Sequence, residues 1–395
     1  MSKSLSNSDD EPIRSAIAVL EGYANGQAGV LNACSQDAGP MVLAHLLHAE
    51  GALPGALGRR VSERWMREQT GQIRALGAFG GLGGLLAGMH ALTAIEPDFT
   101  SLTGVLGDKV RQILAAVDWK MSSVVWADYD LFRGPSGLVL TGTIEPDWSE
   151  SVIPAADQLA ILCETPTLER LRAGSDIDPR SAFNIGRINT GMGHGVTGVA
   201  SALRQAAETF DDNDRYLSAL RRCCDWLVEE AYLAEGEFIT WPPVGRDGAK
   251  ASTKAHQRQA WCYGTPGVAW TLWDAGRVLQ DPALQLLGAE AMRSFCRIFD
   301  ADKLFAEDDV GWELAICHGA AGTLAVADAF ARHASLPEAA RLRDYLDTYL
   351  LARIDQIAET AGHDMTILNG AGGALSVMLT VHGGSRGWLP QIALR

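Results

Sequence analysis

Basic residues are in short supply in this 395-residue chain: 33 Lys and Arg stand against 48 Asp and Glu, a formal charge of −15. Nucleic acid and anionic membrane surfaces reward basic patches, so neither is expected as a main partner. A secretory signal is also lacking. Met1 to Pro12 (MSKSLSNSDDEP) is polar without an apolar centre, and it reads as a flexible tail over 1–12 ahead of one domain over 13–395. Cysteine pairing is not provided for either. Cys34, Cys163, Cys223, Cys224, Cys262, Cys296 and Cys317 are odd in number, and without a signal they are expected as reduced thiols or metal ligands in a cytoplasmic protein. Long uncharged runs are few. The longest, Ala75 to Ile95, could span a bilayer, but its six glycines and His90 argue against a membrane helix. No stretch reads as a linker between domains.

Core-forming residues and glycine are abundant. The chain is 47% hydrophobic and 21% charged, enough to bury a large core. Many of its 42 glycines are periodic. Gly-x-x-Gly followed by an apolar run occurs six times, at Gly81/Gly84, Gly134/Gly137, Gly195/Gly198, Gly264/Gly267, Gly319/Gly322 and Gly370/Gly373, with first glycines 51 to 69 residues apart. Small residues at i and i+3 share one helix face and allow neighbouring backbones to approach. Between the pairs lie longer amphipathic stretches, such as Asp214 to Leu233 and Pro337 to Ile354. The pattern predicts an all-α fold of six inner, glycine-started helices and six outer ones, closing into an α/α toroid. A linear solenoid of helix pairs is the structural alternative. Thr141 to Pro154 and Gly236 to His256 read as loops or small β insertions over the ring.

Chemistry gathers in the turns before these glycines: Asp130 in DYDLFRGPSG, His194 in GMGHGVTG, Cys262 in RQAWCYGTPG and Cys317-His318 in ICHGAAG. In a closed ring, these equivalent positions face one another across its mouth. Adjacent residues diverge by about 100° on a regular helix, but ahead of the helix start both Cys317 and His318 can reach one ion. Two cysteines and one histidine suit zinc, and three protein ligands leave a coordination position open, as in catalytic sites. A lone cysteine would be a small buried hydrophobe; the shared register is what distinguishes Cys262 and Cys317, and the other five read as structural. His194 shares the register and is a candidate for acid–base chemistry. The seven remaining histidines fall outside it. Arg258, four residues before Cys262, and Asp130 are opposite charges at the same mouth, suited to pairing or to steering a substrate.

The elements GMGHG, WCYGTPG and CHG, in this order and spacing, resemble the lanthionine synthetase C-like family, the lantibiotic cyclases, across essentially the whole chain. The resemblance implies an α/α toroid and one zinc ion per chain held by Cys262, Cys317 and His318. It further implies His194 as the acid–base residue, with Asp130, Arg258 and Tyr263 completing the site. Arg133-Gly134-Pro135-Ser136-Gly137 departs from the small apolar residues usual after that aspartate. The length suits a stand-alone cyclase.

The chemistry so implied joins a cysteine thiol of a dehydrated precursor peptide to a dehydroalanine or dehydrobutyrine of the same peptide, closing a (methyl)lanthionine thioether ring. A free thiol has a pKa near ~8.5, so a cation that stabilises thiolate fits the task. Addition at the β-carbon develops an enolate that must be stabilised and protonated, with His194 for proton transfer and Tyr263 or Arg258 for the oxygen. Whether His194 acts as base or acid is open at this level. Expected partners are the precursor peptide, leader and core, with a dehydratase and a membrane exporter in a biosynthetic complex, the only route to membrane association. Rival readings are an enzyme adding glutathione or another external thiol, and a non-catalytic peptide-binding scaffold with structural zinc. A toroidal glycosidase needs a carboxylate pair, and only Asp130 is in register.

Overall fold

The computed structural model describes residues 10–27, 37–69, 73–174, 185–247, 259–305 and 312–395. In chain order the helices are α1 (Asp10–Ala24), α2 (Gly39–Ala49), α3 (Gly55–Glu68), α4 (Leu82–Ile95), α5 (Leu102–Ala115), α6 (Pro135–Gly142), the single turn α7 (Pro146–Ser149), α8 (Ile153–Leu162), α9 (Val196–Thr209) and α10 (Asp214–Glu230). A hairpin of β1 (Tyr232–Ala234) and β2 (Phe238–Thr240) follows, paired antiparallel with Leu233 opposite Ile239. The chain continues through α11 (Thr265–Val278), α12 (Pro282–Ile298), the short α13 (Ala301–Leu304), α14 (Ala320–His333), α15 (Pro337–Leu351), α16 (Ile354–Thr360) and α17 (Ala371–Val381).

The predicted toroid is present, and it is larger by one inner helix than the glycine pairs indicate. Helices α4, α6, α9, α11, α14 and α17 each follow a Gly-x-x-Gly start and pack in that order, and α2 closes the ring between α17 and α4. The sequence reading passes over α2 because it opens on Gly39-Pro40 and has no second glycine three residues on. Outside, α3, α8, α10, α12 and α15 lie on α2, α6, α9, α11 and α14, while α5 packs against α7. Helix α1 lies against α3, α16 and α17 and covers the seam where the ring closes. Asp10 to Pro12, expected in the tail, are therefore part of α1; residues 1–9 lie outside the described residues. The second helices of the pairs are shorter than their sequence patterns: α10 stops at Glu230 and α15 at Leu351. Among the described residues no helix is long and apolar enough to cross a membrane. The apolar run at Ala75–Ile95 instead forms a collar turn and α4, an inner helix buried on nearly every side.

The glycine repeat has a different cause from helix–helix approach. At Gly137, Gly198, Gly267, Gly322 and Gly373, an added Cβ would stand only 1.7–2.2 Å from the carbonyl oxygen of the residue six positions earlier. Helices α6, α9, α11, α14 and α17 are thus each preceded by an extended turn whose backbone folds down onto the first helical turn, leaving no room for a side chain.

These turns are stitched sideways into a collar by main-chain hydrogen bonds. Ala78 donates to Leu131 (2.9 Å), Leu131 to Gly193 (3.0 Å), Met192 to Cys262 (2.8 Å), Cys262 to Cys317 (3.2 Å) and Cys317 to Leu368 (3.0 Å). On the α2 side, among the described residues, the buried Asp37 carboxylate bonds into the collar. Its Oδ1 accepts from the amides of Gly39 (2.8 Å) and Ile367 (2.9 Å). Burial pushes Asp37 up to about 7 despite these two bonds. Beneath the collar, Trp388 to Leu394 fill the ring: Trp261 Nε1 donates to the Ile392 carbonyl (2.9 Å) and Gln391 Nε2 to that of Ala78 (3.0 Å).

The two segments expected as insertions contain short regular elements. Thr141 to Pro154 includes α7 and anchors the buried Trp148 through its Nε1–H to the Thr103 carbonyl (2.8 Å). Gly236 to His256 contributes β2 and the buried Trp241, whose Nε1–H reaches the Leu227 carbonyl (2.7 Å). Its part from residue 248 onward lies outside the described residues.

Candidate metal and acid–base site

Collar register brings Cys262, Cys317 and His318 together. The Cys262 amide bonds to the Cys317 carbonyl, so the two cysteines sit side by side although 55 residues separate them. One ligand atom from each of the three residues lies within 4.8 Å of the others, and Cys317 Sγ is 3.7 Å from His318 Nε2. Both are possible because Cys317 and His318 precede Gly319, the extended N-cap of α14, and are not yet helical. The cluster could hold a metal ion. Hydrogen bonding with Cys317, and then His318, holds the Cys262 thiol well below the usual thiol range against the effect of its burial. Elsewhere burial has the opposite outcome, pushing the Cys224 and Cys296 thiols up to about 12. Cys163 and Cys223 lie buried together, their sulfurs 3.5 Å apart between α8 and α10. Cys34 lies outside the described residues.

His194 stands on the neighbouring turn. Gly193, just before it, is pressed between the cluster and an aromatic ring: an added Cβ would be 3.0 Å from Cys262 Sγ and 2.4 Å from Phe132 Cε2. His194 Nδ1 is 2.6 Å from Asp130 Oδ2. Burial pulls the imidazole pKa down, but the bond and charge of Asp130, helped by Cys262, outweigh it and raise His194 above its ordinary value. Asp130 is itself fixed, since its Oδ1 accepts from the amides of Arg133 (2.7 Å) and Gly134 (2.9 Å) at the start of α6. It is 2% exposed, whereas the His194 side chain remains 26% exposed, so one edge of the ring stays accessible.

Comparison with known proteins follows this geometry. Residues 58–393 match the family model described as "Lanthionine synthetase C-like protein". The chain belongs to the lanthionine synthetase C-like family. Among solved structures it is similar to "Nisin cyclase", with a TM-score of 0.79 at 17% identity over 96% of each chain. At that identity the likeness establishes the shared fold. No match was found among curated proteins.

In this lanthionine synthetase C-like protein, most of the residues singled out in the sequence come together at the collar. Cys262, Cys317 and His318 form one cluster, and Asp130 pairs with His194 beside it. Tyr263 follows Cys262 and its Oη accepts a hydrogen bond from Asn189 Nδ2 (3.0 Å). Arg258 lies outside the described residues. Among the described residues, Asp130 is bonded by His194 and by the amides of Arg133 and Gly134.

Several site residues carry no glycine-register signal. Asn189 is buried, and its Oδ1 accepts the Gly191 amide (2.8 Å), tying Tyr263 to the GMGHG turn. Trp312 packs against the His318 ring at 5.8 Å. Trp126 and Phe132 stack on the two faces of His194, with centroids at 4.5 and 4.4 Å. The available hint was the run of aromatics around Asp130 in WADYDLF.

Proposed function

We propose that this protein is a zinc-dependent lanthipeptide cyclase acting on a dehydrated precursor peptide, adding its cysteine thiols to dehydroalanine or dehydrobutyrine. The observation that carries this reading is the Cys262–Cys317–His318 cluster beside the Asp130–His194 pair, within a family-matched toroid. The similar structure, titled a nisin cyclase, supports it through fold.

The donor set fits zinc. Two thiolates and an imidazole are its usual ligands, and tetrahedral bond lengths near 2.3 and 2.05 Å put a sulfur and a nitrogen about 3.6 Å apart; Cys317 Sγ and His318 Nε2 stand at 3.7 Å. When bound there, zinc supplies Lewis-acid stabilisation of thiolate character in the attacking sulfur.

The chain's own groups account for the remaining steps. The carbon–sulfur bond forms at the β-carbon of the dehydro residue as the thiol loses its proton. The electron pair moves to an enolate, which takes a proton at the α-carbon. His194 is suited to move that proton, because Asp130 occupies Nδ1, leaves Nε2 outside that bond, and the side chain remains 26% exposed. Tyr263, held by Asn189, is suited to hydrogen-bond the developing oxyanion.

Zinc per chain, measured by elemental mass spectrometry, is expected near one in the parent and near zero in Cys262→Ala and Cys317→Ala. His194→Ala should keep the metal yet fail to consume the thiols of a dehydrated precursor, read by alkylation. A parent without zinc after reconstitution, or thiol loss that requires an added external thiol, would overturn the assignment.

A further inference from the structure

One short stretch of chain holds the His194 imidazole from three sides. Asp130 bonds its Nδ1 edge at 2.6 Å. The Trp126 ring lies on one face with an interplanar angle of 21°, and the Phe132 ring on the other at 20°. The neighbouring contacts of Phe79 are edge-on, with Phe132 at 60° and Trp261 at 90°, and Trp312 meets His318 at 44°. The near-parallel pair on His194 is thus a local exception.

Two features of the surroundings tie the stacked arrangement to the imidazole rather than to polar contacts of the rings themselves. The Trp126 indole N–H is buried without a hydrogen-bond partner, so the ring's position is not set by its own polar group. Phe132, backed by Phe79 at 5.4 Å, occupies space that requires glycine at position 193. The Asp130 amide also donates to the Trp126 carbonyl (2.7 Å), so stacking ring and orienting carboxylate move as one unit.

We infer that Trp126 and Phe132 are positioning residues which clamp the plane of the His194 ring and keep Nε2 aimed at the reacting peptide. The inference rests on the reading of His194 as the proton-transferring group. Rotating the ring by half a turn about its Cβ–Cγ bond would replace Nδ1 by Cδ2 opposite Asp130 and lose the 2.6 Å bond. Tilting the plane drives it into one of the two flanking rings. One orientation remains, with the free edge directed outward. Proton transfer needs its heavy atoms within hydrogen-bond reach, and misplacement by about 1 Å can cost ~100-fold.

The test compares Trp126→Leu and Phe132→Leu with the aromatic replacements Trp126→Phe and Phe132→Tyr, all as zinc-loaded protein acting on a dehydrated precursor peptide. The leucine variants should lose about 10- to 100-fold in kcat, with KM and zinc content within about twofold of the parent. The aromatic replacements should recover to within about threefold of the parent, an expectation from ring stacking alone. An activity-independent readout is proton NMR. The Hδ2 and Hε1 signals of His194, assigned by their loss in His194→Asn, should be shifted upfield in the parent and in the aromatic variants but not in the leucine variants. Parental turnover in both leucine variants would overturn the clamp alone, provided His194→Asn is inactive. Parental turnover in His194→Asn would overturn the histidine's assigned role and the clamp's purpose with it. Should the leucine variants fail to fold, Trp126→Phe with no upfield shift and parental kcat would overturn the clamp.

Discussion

Replacing Asp130 by asparagine removes one charge and leaves the shape of the site. The Asp130 Oδ1 contacts to the Arg133 and Gly134 amides, at 2.7 and 2.9 Å, suit an amide oxygen equally well, so the turn before α6 should persist. The other side changes in kind. Oδ2, an acceptor 2.6 Å from His194 Nδ1, becomes an NH2 group that can only donate. His194 must then accept at Nδ1 and carry its proton on Nε2, the wrong tautomer for a neutral base. The charge-assisted bond lost is worth about 1.5–3 kcal/mol. Its loss removes the main cause that raises the His194 pKa, which should fall. Since general acid–base catalysis contributes about 10²–10⁴-fold, the expected loss in kcat lies in that range. Ring closure followed by thiol alkylation measures the rate, and long-range proton–nitrogen NMR of the histidine ring reports the tautomer and its titration. Asp130→Asn with kcat within tenfold of the parent and Nδ1 still protonated would refute the argument.

Two further predictions concern the collar. Asp37, raised by burial from 3.8 to about 7, stabilises the fold only while it is neutral. Its contribution is complete below the unfolded pKa and is lost as the pH rises from about 4 to 7. Asp37→Asn keeps an acceptor for both amides and cannot ionise, so its stability relative to the parent should grow across that interval, by up to about 4 kcal/mol for three pK units. Urea midpoints at pH 4.5 and 8 test this, and a pH-independent difference would contradict it. At Gly322 a methyl group would meet the Ile316 carbonyl at 1.9 Å, one residue from Cys317. Gly322→Ala should cost about 3 kcal/mol, the upper end of overpacking, and should lower zinc content; a variant with unchanged thermal midpoint and full metal would show that the turn can shift freely.

Much of the architecture is legible in the chain because the collar repeats. Each turn folds its own carbonyl onto its own helix start, a contact between residues six apart, so the need for glycine is written locally and recurs at Gly137, Gly198, Gly267, Gly322 and Gly373. The same locality places His194, Cys262, Cys317 and His318 in one register along the chain. Helix α2 carries no second glycine three residues after Gly39, and its described tie to the collar runs through a side chain, Asp37, bonded to Ile367 from the far end of the sequence.

What only the tertiary structure decided is the set of contacts with no repeated spacing. That Asp130 meets His194 rather than remaining a free charge at the mouth depends on the bond from the Leu131 amide to the Gly193 carbonyl, between turns 62 residues apart. The stacking of Trp126 and Phe132 depends on ring planes, which residue identity does not encode. The sequence by itself determined the helical ring, its glycine-bound turns and the metal-competent donor trio, since these follow from local backbone sterics and ligand chemistry. The orientation of the imidazole, the support of Tyr263 by Asn189 and the closure of the ring through Asp37 arise from long-range packing and directional hydrogen bonds, which exist only once the seven inner helices have met.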